Sequence, residues 1–157
     1  MPDTPTSGGH RWADAVMTAR LLGPYLAFGM LKRVMPLPRL VRWAWLRPVG
    51  ARDCEMEARA LRCVVGVRRR MSAERGDCLQ GSLALYRVLS RAGSNPRLVV
   101  GFRREASSID GHAWVEVDDA CVIESPPASR GFVAALAFGP RGARVATPGA
   151  PPHREAI

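Results

Sequence analysis

The chain has 157 residues, enough for one hydrophobic core, and 47% of them are apolar, which excludes a disordered polypeptide. Its formal charge of +9 comes from 23 basic against 14 acidic residues, and with Lys32 as the sole lysine the excess is arginine. That bias follows either from arginine-rich coding or from an acidic partner, while four cysteines without a signal peptide or regular spacing point to reduced thiols rather than a disulfide framework.

Residues 1–10, rich in Pro, Thr, Ser and Gly, read as a disordered start. A helical region spans 11–50: Trp12 to about Val34 is helical with a kink or break at Pro24, and Pro36, Pro38 and Pro48 punctuate a segment that forms one further helix around Leu40, Val41, Trp43 and Leu46. The apolar stretch Leu21 to Leu31 is too short to cross a membrane and is interrupted by Gly23-Pro24. These helices are expected to pack on the domain's own core, although Trp43, Trp45 and their arginines also suit peripheral membrane contact or a partner surface.

The core domain is expected over 51–138. Asp53 is a plausible N-cap, with Glu55 and Glu57 in the first turn of a helix whose buried stripe is Met56, Ala60, Cys63, Val64, Val67 and Met71. Cys54 and Cys63, nine residues apart, point to opposite faces and are poor partners for a bridge or a metal. After the connector Ala73 to Gly76, Asp77-Cys78-Leu79-Gln80 resembles a capping box, in which Asp77 caps and Gln80 reaches back. The helix that follows presents Leu79, Leu83, Tyr86 and Leu89, and stops at Gly93-Ser94-Asn95-Pro96.

Leu98 to Phe102 then reads as a buried strand, Glu105 to Gly111 as a loop, and His112 to Val117 as a second, alternating strand. A tight turn at Asp118-Asp119-Ala120 leads to a third strand, Cys121 to Glu124, where Cys121 is an inert thiol among apolar neighbours. One more apolar segment, Phe132 to Phe138, precedes a flexible tail at 139–157.

A thiol in the first turn of a helix is activated by the helix dipole and free backbone N–H groups, and those groups can also hold an oxyanion. Cys78 has that placement, although Asp77 partly opposes the effect. His112 would open its strand on the face shared by Trp114 and Glu116, and project toward the helix end as a general base. A third group must orient the imidazole. If Val117 pairs with Cys121 around a three-residue turn, Glu124 becomes a diagonal neighbour of His112, whereas a slip of one residue puts it on the wrong face.

The stretch beginning Cys78-Leu-Gln-Gly-Ser-Leu-Ala-Leu, then Pro96-Arg-Leu-Val-Val-Gly-Phe-Arg, then His112-Ala-Trp-Val-Glu-Val-Asp, resembles the lasso peptide biosynthesis B2 proteins over roughly residues 53 to 125. The short length is similar to the split form of that family, which lacks a fused leader-recognition domain. The resemblance implies an α+β fold with a transglutaminase-like or papain-like cysteine peptidase core, N-terminal helices preceding a small antiparallel sheet. It implies a leader peptidase that trims a ribosomally made precursor, with Cys78 as nucleophile, His112 as base and Glu124 at the acidic position. Glu124 is one methylene longer than the family's usual Asp, and Gly81 stands where relatives often carry arginine.

The implied partners are the precursor peptide, a separate B1-type leader-binding protein and an ATP-dependent macrolactam cyclase, in the cytoplasm. Trp12 to Leu46 is the expected partner surface. The reaction needs no metal or organic cofactor. Two other readings stand beside it: a transglutaminase-like acyl transferase using the same triad, and a non-enzymatic basic scaffold. Nucleic acid is not the expected partner, because aromatic residues do not interleave with the arginines.

Overall fold

A computed structural model describes residues 7–71, 78–105, 107–122 and 130–147, with side chains described from residue 12 and not over 68–71. Among them, helices α1 (Ser7–Leu31), α2 (Leu37–Ala44), α3 (Cys54–Met71) and α4 (Cys78–Arg91) precede strands β1 (Arg97–Glu105), β2 (Ser108–Val117), β3 (Ala120–Cys121), β4 (Val133–Phe138) and β5 (Arg144–Val145). This is the expected α+β order, helices first and sheet after.

Helix α1 begins earlier than its sequence pattern suggests and runs through Pro24 rather than ending there. Proline removes one helical hydrogen bond, but Met17, Leu21, Tyr25 and Phe28 are all buried on one face, and that packing keeps the helix going. No helix among the described residues is long and apolar enough to cross a membrane. Helix α3 is capped as expected, the Met56 N–H donating to Asp53 Oδ1 at 2.9 Å. Arg52, just before it, holds Glu57 at 2.6 Å and Asp118 of the β2–β3 turn at 2.6 Å. The Arg52 guanidinium in turn keeps the Glu57 carboxyl below its ordinary range.

Helix α4 is the centre of the molecule, with Leu83, Leu85, Tyr86 and Leu89 all buried. Its end is a Schellman motif: Ser94 N–H donates to Leu89 O at 3.1 Å and Gly93 N–H to Ser90 O at 3.2 Å. Gly93 adopts φ +79°, which a side chain rarely tolerates.

The sheet is antiparallel, in the order β3-β2-β1-β4-β5. Leu98, Val115, Val117 and Phe138 join the helical layer in the main core. Val99, Trp114 and Ala137 form a smaller cluster of their own, and strand alternation places them on the opposite face. Three expectations are corrected here. The segment expected as a loop over 105–111 is mostly strand, because pairing continues to Glu105↔Ser108 and Arg103 meets Asp110 across it at 3.0 Å. The β2–β3 connection is a two-residue turn, not three, because Asp118 (φ 52°) and Asp119 (φ 62°) both take left-handed conformations, so that Val117 pairs with Ala120.

The third correction concerns the tail. Residues 139–147 are ordered: a 3-10 turn at Pro140–Gly142 leads into β5, which pairs with β4. Tyr86 Oη donates to Gly139 O at 2.5 Å from inside α4, which ties that turn to the core. Burial pushes the Tyr86 hydroxyl up to about 12. Residues 148–157 lie outside the described residues.

Candidate active site

Cys78 is the first residue of α4, so the backbone N–H groups of its turn lack intrahelical partners. Asp77, expected to cap this turn, lies outside the described residues. Gln80, expected to reach back to the cap, is buried with its Oε1 against Gly29 of α1. Burial opposes ionisation of the Cys78 thiol. A hydrogen bond with His112, backbone hydrogen bonds with Ala113 and Leu79, and the charge of His112 outweigh that burial and hold the thiol below its ordinary value.

The backbone of β2 explains how helix and strand meet. Within an antiparallel strand, alternate residues direct their N–H and C=O groups to the same edge. Val115 accepts from the Val122 N–H at 3.2 Å on the β3 edge, so Ala113 faces that edge as well. Strand β3 covers only Glu116 and Val117 and stops short of Ala113. The first turns of α4 take its place: Ser82 Oγ donates to Ala113 O at 2.9 Å, and the thiol of Cys78 meets the Ala113 backbone.

His112 is the fifth residue of β2 rather than its first, and lies opposite Gly101. The correction follows from the longer β1–β2 hairpin. It anchors the histidine on both sides in a paired strand. The imidazole lies 5.0 Å from the Phe132 ring and is stacked with Trp114 at 6.1 Å. Trp114 is fixed in turn, because its Nε1–H donates to Glu116 Oε1 at 2.8 Å and Arg97 holds Glu116 Oε2 at 2.9 Å. Its ring lies over Gly101, where a Cβ would come within 2.8 Å of Trp114 and 2.6 Å of the Val133 carbonyl. Any larger residue at 101 would displace the tryptophan on which the imidazole stacks.

The register that placed Glu124 diagonally from His112 does not occur. With Glu116 opposite Cys121, the pairing is shifted by one residue from that expectation, and the turn at Asp118-Asp119 is the cause. Glu124 itself lies outside the described residues.

Sequence reasoning missed Arg130 and gave Phe132 only as an apolar residue. Arg130 Nη2 lies 3.0 Å from His112 Nε2, and the guanidinium groups of Arg103 and Arg130 stand 4.7 and 5.6 Å from the Phe132 ring centroid. Nothing in the sequence marks Arg130, one arginine among many, whereas Phe132 at the head of an apolar run was a readable hint of a strand start beside β1.

Cys54 is exposed, Cys63 is half-buried with its thiol 3.7 Å from the Asp14 carbonyl, and Cys121 is half-buried in the smaller cluster. Among the described residues, no group of three or more His, Cys, Asp or Glu could hold a metal ion. The arrangement therefore offers an activated thiol, an adjacent imidazole and helix N–H groups without intrahelical partners, the parts of a cysteine nucleophile site.

Residues 18–137 match the family model described as the transglutaminase-like superfamily. No curated protein matches the chain. No solved structure matches it either.

Proposed function

Because the chain belongs to the transglutaminase-like superfamily, whose members are typically cysteine-dependent enzymes, we propose that it is a cysteine peptidase that removes the leader from a ribosomally synthesised precursor during lasso peptide maturation. The observation that carries this reading is Cys78 at the start of α4, its thiol hydrogen-bonded to His112 and held below its ordinary ionisation range. The Cys78 thiolate attacks the scissile carbonyl and forms a C–S bond, and the oxyanion is met by the N–H groups of the α4 turn. The C–N bond breaks as protonated His112 gives its proton to the leaving amine. Water then attacks the thioester as His112 takes its proton, the C–S bond breaks to restore the Cys78 thiolate, and the leader leaves as a carboxylate. In this reading Glu124 orients the imidazole. No metal or organic cofactor takes part.

The partners in this reading are the precursor peptide, a separate leader-binding protein and the ATP-dependent cyclase that uses the freed amine, all in the cytoplasm. The Trp12 to Leu46 region is the proposed docking surface for the leader-binding protein. A groove of about 330 Å³ lined by Trp12, Val16, Arg20, Met56 and Arg59 supports it. Trp12→Ser with Arg20→Glu should weaken that binding, and unchanged binding would remove the assignment.

The test of the activity is a reconstituted trimming assay with precursor and leader-binding protein. Cys78→Ala and Glu124→Gln should both lose product, the first completely. A Cys78→Ala variant that still trims would refute the peptidase reading. The superfamily also includes acyl transferases, and both reactions pass through a thioester, so mass spectrometry of the product separates a freed leader from a new amide.

A further inference from the structure

Burial on the helical side of the sheet falls away row by row. Strand alternation and the registers of β1 with β2 and β4 set Leu98, Val115 and Phe138 in one row, Val100, Ala113 and Leu136 in the next, and Phe102, Gly111 and Val133 in the row after that. The first of these rows is fully buried, and in the second Val100 and Leu136 are half-buried. In the last, Phe102 is 45% and Val133 72% exposed, and Ile109, further along β2, is 72% exposed. A Cβ at Gly111 would lie 3.5 Å from the Phe102 ring, so the ring leans across β2 over that glycine. Phe102, Val133 and Ile109 thus form an open apolar shelf.

The direction of α4 explains why the shelf is bare. A backbone group that favours a thiolate is a donor, so the Ala113 N–H meets Cys78, whereas Ser82, four residues later, donates to the Ala113 carbonyl. The N–H of a residue precedes its carbonyl along a strand. Helix α4 therefore advances in the sense of β2, toward Val115 and Val117, with which Leu83, Leu85 and Leu89 share the main core. Gly111 and Ile109 lie on the other side of Cys78, away from the body of the helix. Gly111 is about 7 Å from Ala113 along the strand, a distance that about two residues of an extended peptide span.

We infer that this shelf is a specificity subsite, which receives a bulky apolar side chain carried within about two residues of the carbonyl that Cys78 attacks. The substrate as its occupant rests on the cysteine nucleophile reading above. Continuity with the thiol argues for it: the shelf starts where the turn bearing Cys78 begins, and glycine at 111 keeps the approach between them free of a side chain. Phe102 is the floor of the subsite and Val133 its rim. Arg104, exposed opposite Ile109, ends the apolar surface on the far side, which limits the contact to one side chain.

The test is alkylation of Cys78, which needs no peptidase activity. Iodoacetamide is compared with N-phenethyl iodoacetamide and N-hydroxyethyl iodoacetamide by peptide-resolved mass spectrometry, each rate being divided by that of N-acetylcysteine with the same reagent. The phenethyl arm should speed reaction at Cys78 about tenfold over iodoacetamide, as burying about half of an aromatic side chain implies. The hydroxyethyl arm should bring no gain. Phe102→Ser should abolish the phenethyl gain, and Val133→Asp, at a more exposed position, should cut it about threefold. Val34→Ser, at an exposed apolar residue outside the shelf, should keep it. Each gain compares two reagents at one thiol, so a change in the reactivity of Cys78 itself cancels. No gain in the wild type, an equal gain at the exposed Cys54, or a gain that survives both shelf substitutions overturns the inference. Failure of the peptidase reading shows instead as untrimmed precursor with the alkylation gain intact.

Discussion

The Cys78 thiol reports the electrostatics of this site without any substrate. Replacing His112 by alanine removes a hydrogen bond and a charge that oppose burial, and leaves only the Ala113 and Leu79 backbone groups to favour the thiolate. A hydrogen bond to a charged partner contributes about 1.5 to 3 kcal/mol. Both side chains are partly open to solvent, so the lower end applies, and about 1.4 kcal/mol is a factor of ten in thiolate population. Alkylation of Cys78 by iodoacetamide near neutral pH should therefore slow about tenfold in His112→Ala. Peptide-resolved mass spectrometry makes the exposed Cys54 an internal control. Because the Cys78 thiol lies below the ordinary range, its advantage over a small free thiol such as N-acetylcysteine should be greatest below that range and shrink as rising pH ionises the free thiol as well. Equal alkylation rates in variant and wild type, or an advantage that does not shrink with pH, would refute the reasoning.

Ser82→Ala removes the donor to the Ala113 carbonyl and should cost about 1 kcal/mol in urea unfolding, with slower Cys78 alkylation as the seam between α4 and β2 loosens. Gly101→Ala forces a Cβ against the Val133 carbonyl and the Trp114 ring; about 2 to 3 kcal/mol of destabilisation is expected from the overpacking, read by thermal unfolding, together with loss of the His112–Trp114 stack. Tyr86→Phe leaves the Gly139 carbonyl without its hydroxyl donor and should cost about 1 to 2 kcal/mol. Limited proteolysis would then cut at 139–147 sooner. In ultraviolet titration of the wild type, one of the two tyrosines should ionise late, near pH 12.

Local chemistry made much of this legible. Asp53 as a cap, Gly93 as a stop and Cys78 at a helix start are all decided by a few neighbouring residues and their backbone preferences, and each stands where the pattern put it. The alternation that set His112, Trp114 and Glu116 on one face likewise depends only on strand geometry. What escaped depends on partners far along the chain. Ser107 to Gly111 carries turn-forming residues, yet pairing with β1 makes most of it strand. The Gly- and Pro-rich segment after Phe138 looks irregular by composition, but a hydroxyl from α4 and an edge strand order it. Asp-Asp as a two-residue left-handed turn is a choice between close alternatives that sequence alone does not resolve, and the placement of Glu124 depended on it. Arg130 reaches His112 through tertiary packing around Phe132, for which no local periodicity exists.

The edge of β2 left open by the short β3 has a consequence for the life of the chain. Cys78 and His112 come from different layers, and they meet where the first turns of α4 occupy that edge at Ala113. During synthesis Cys78 emerges before His112 and before the sheet exists, so the nascent helical half carries the thiol without the imidazole that lowers it. Reactivity appears only when the layers dock, and it disappears as soon as they separate. A partly opened molecule therefore loses the hydrogen bond and the charge that lower the Cys78 thiol.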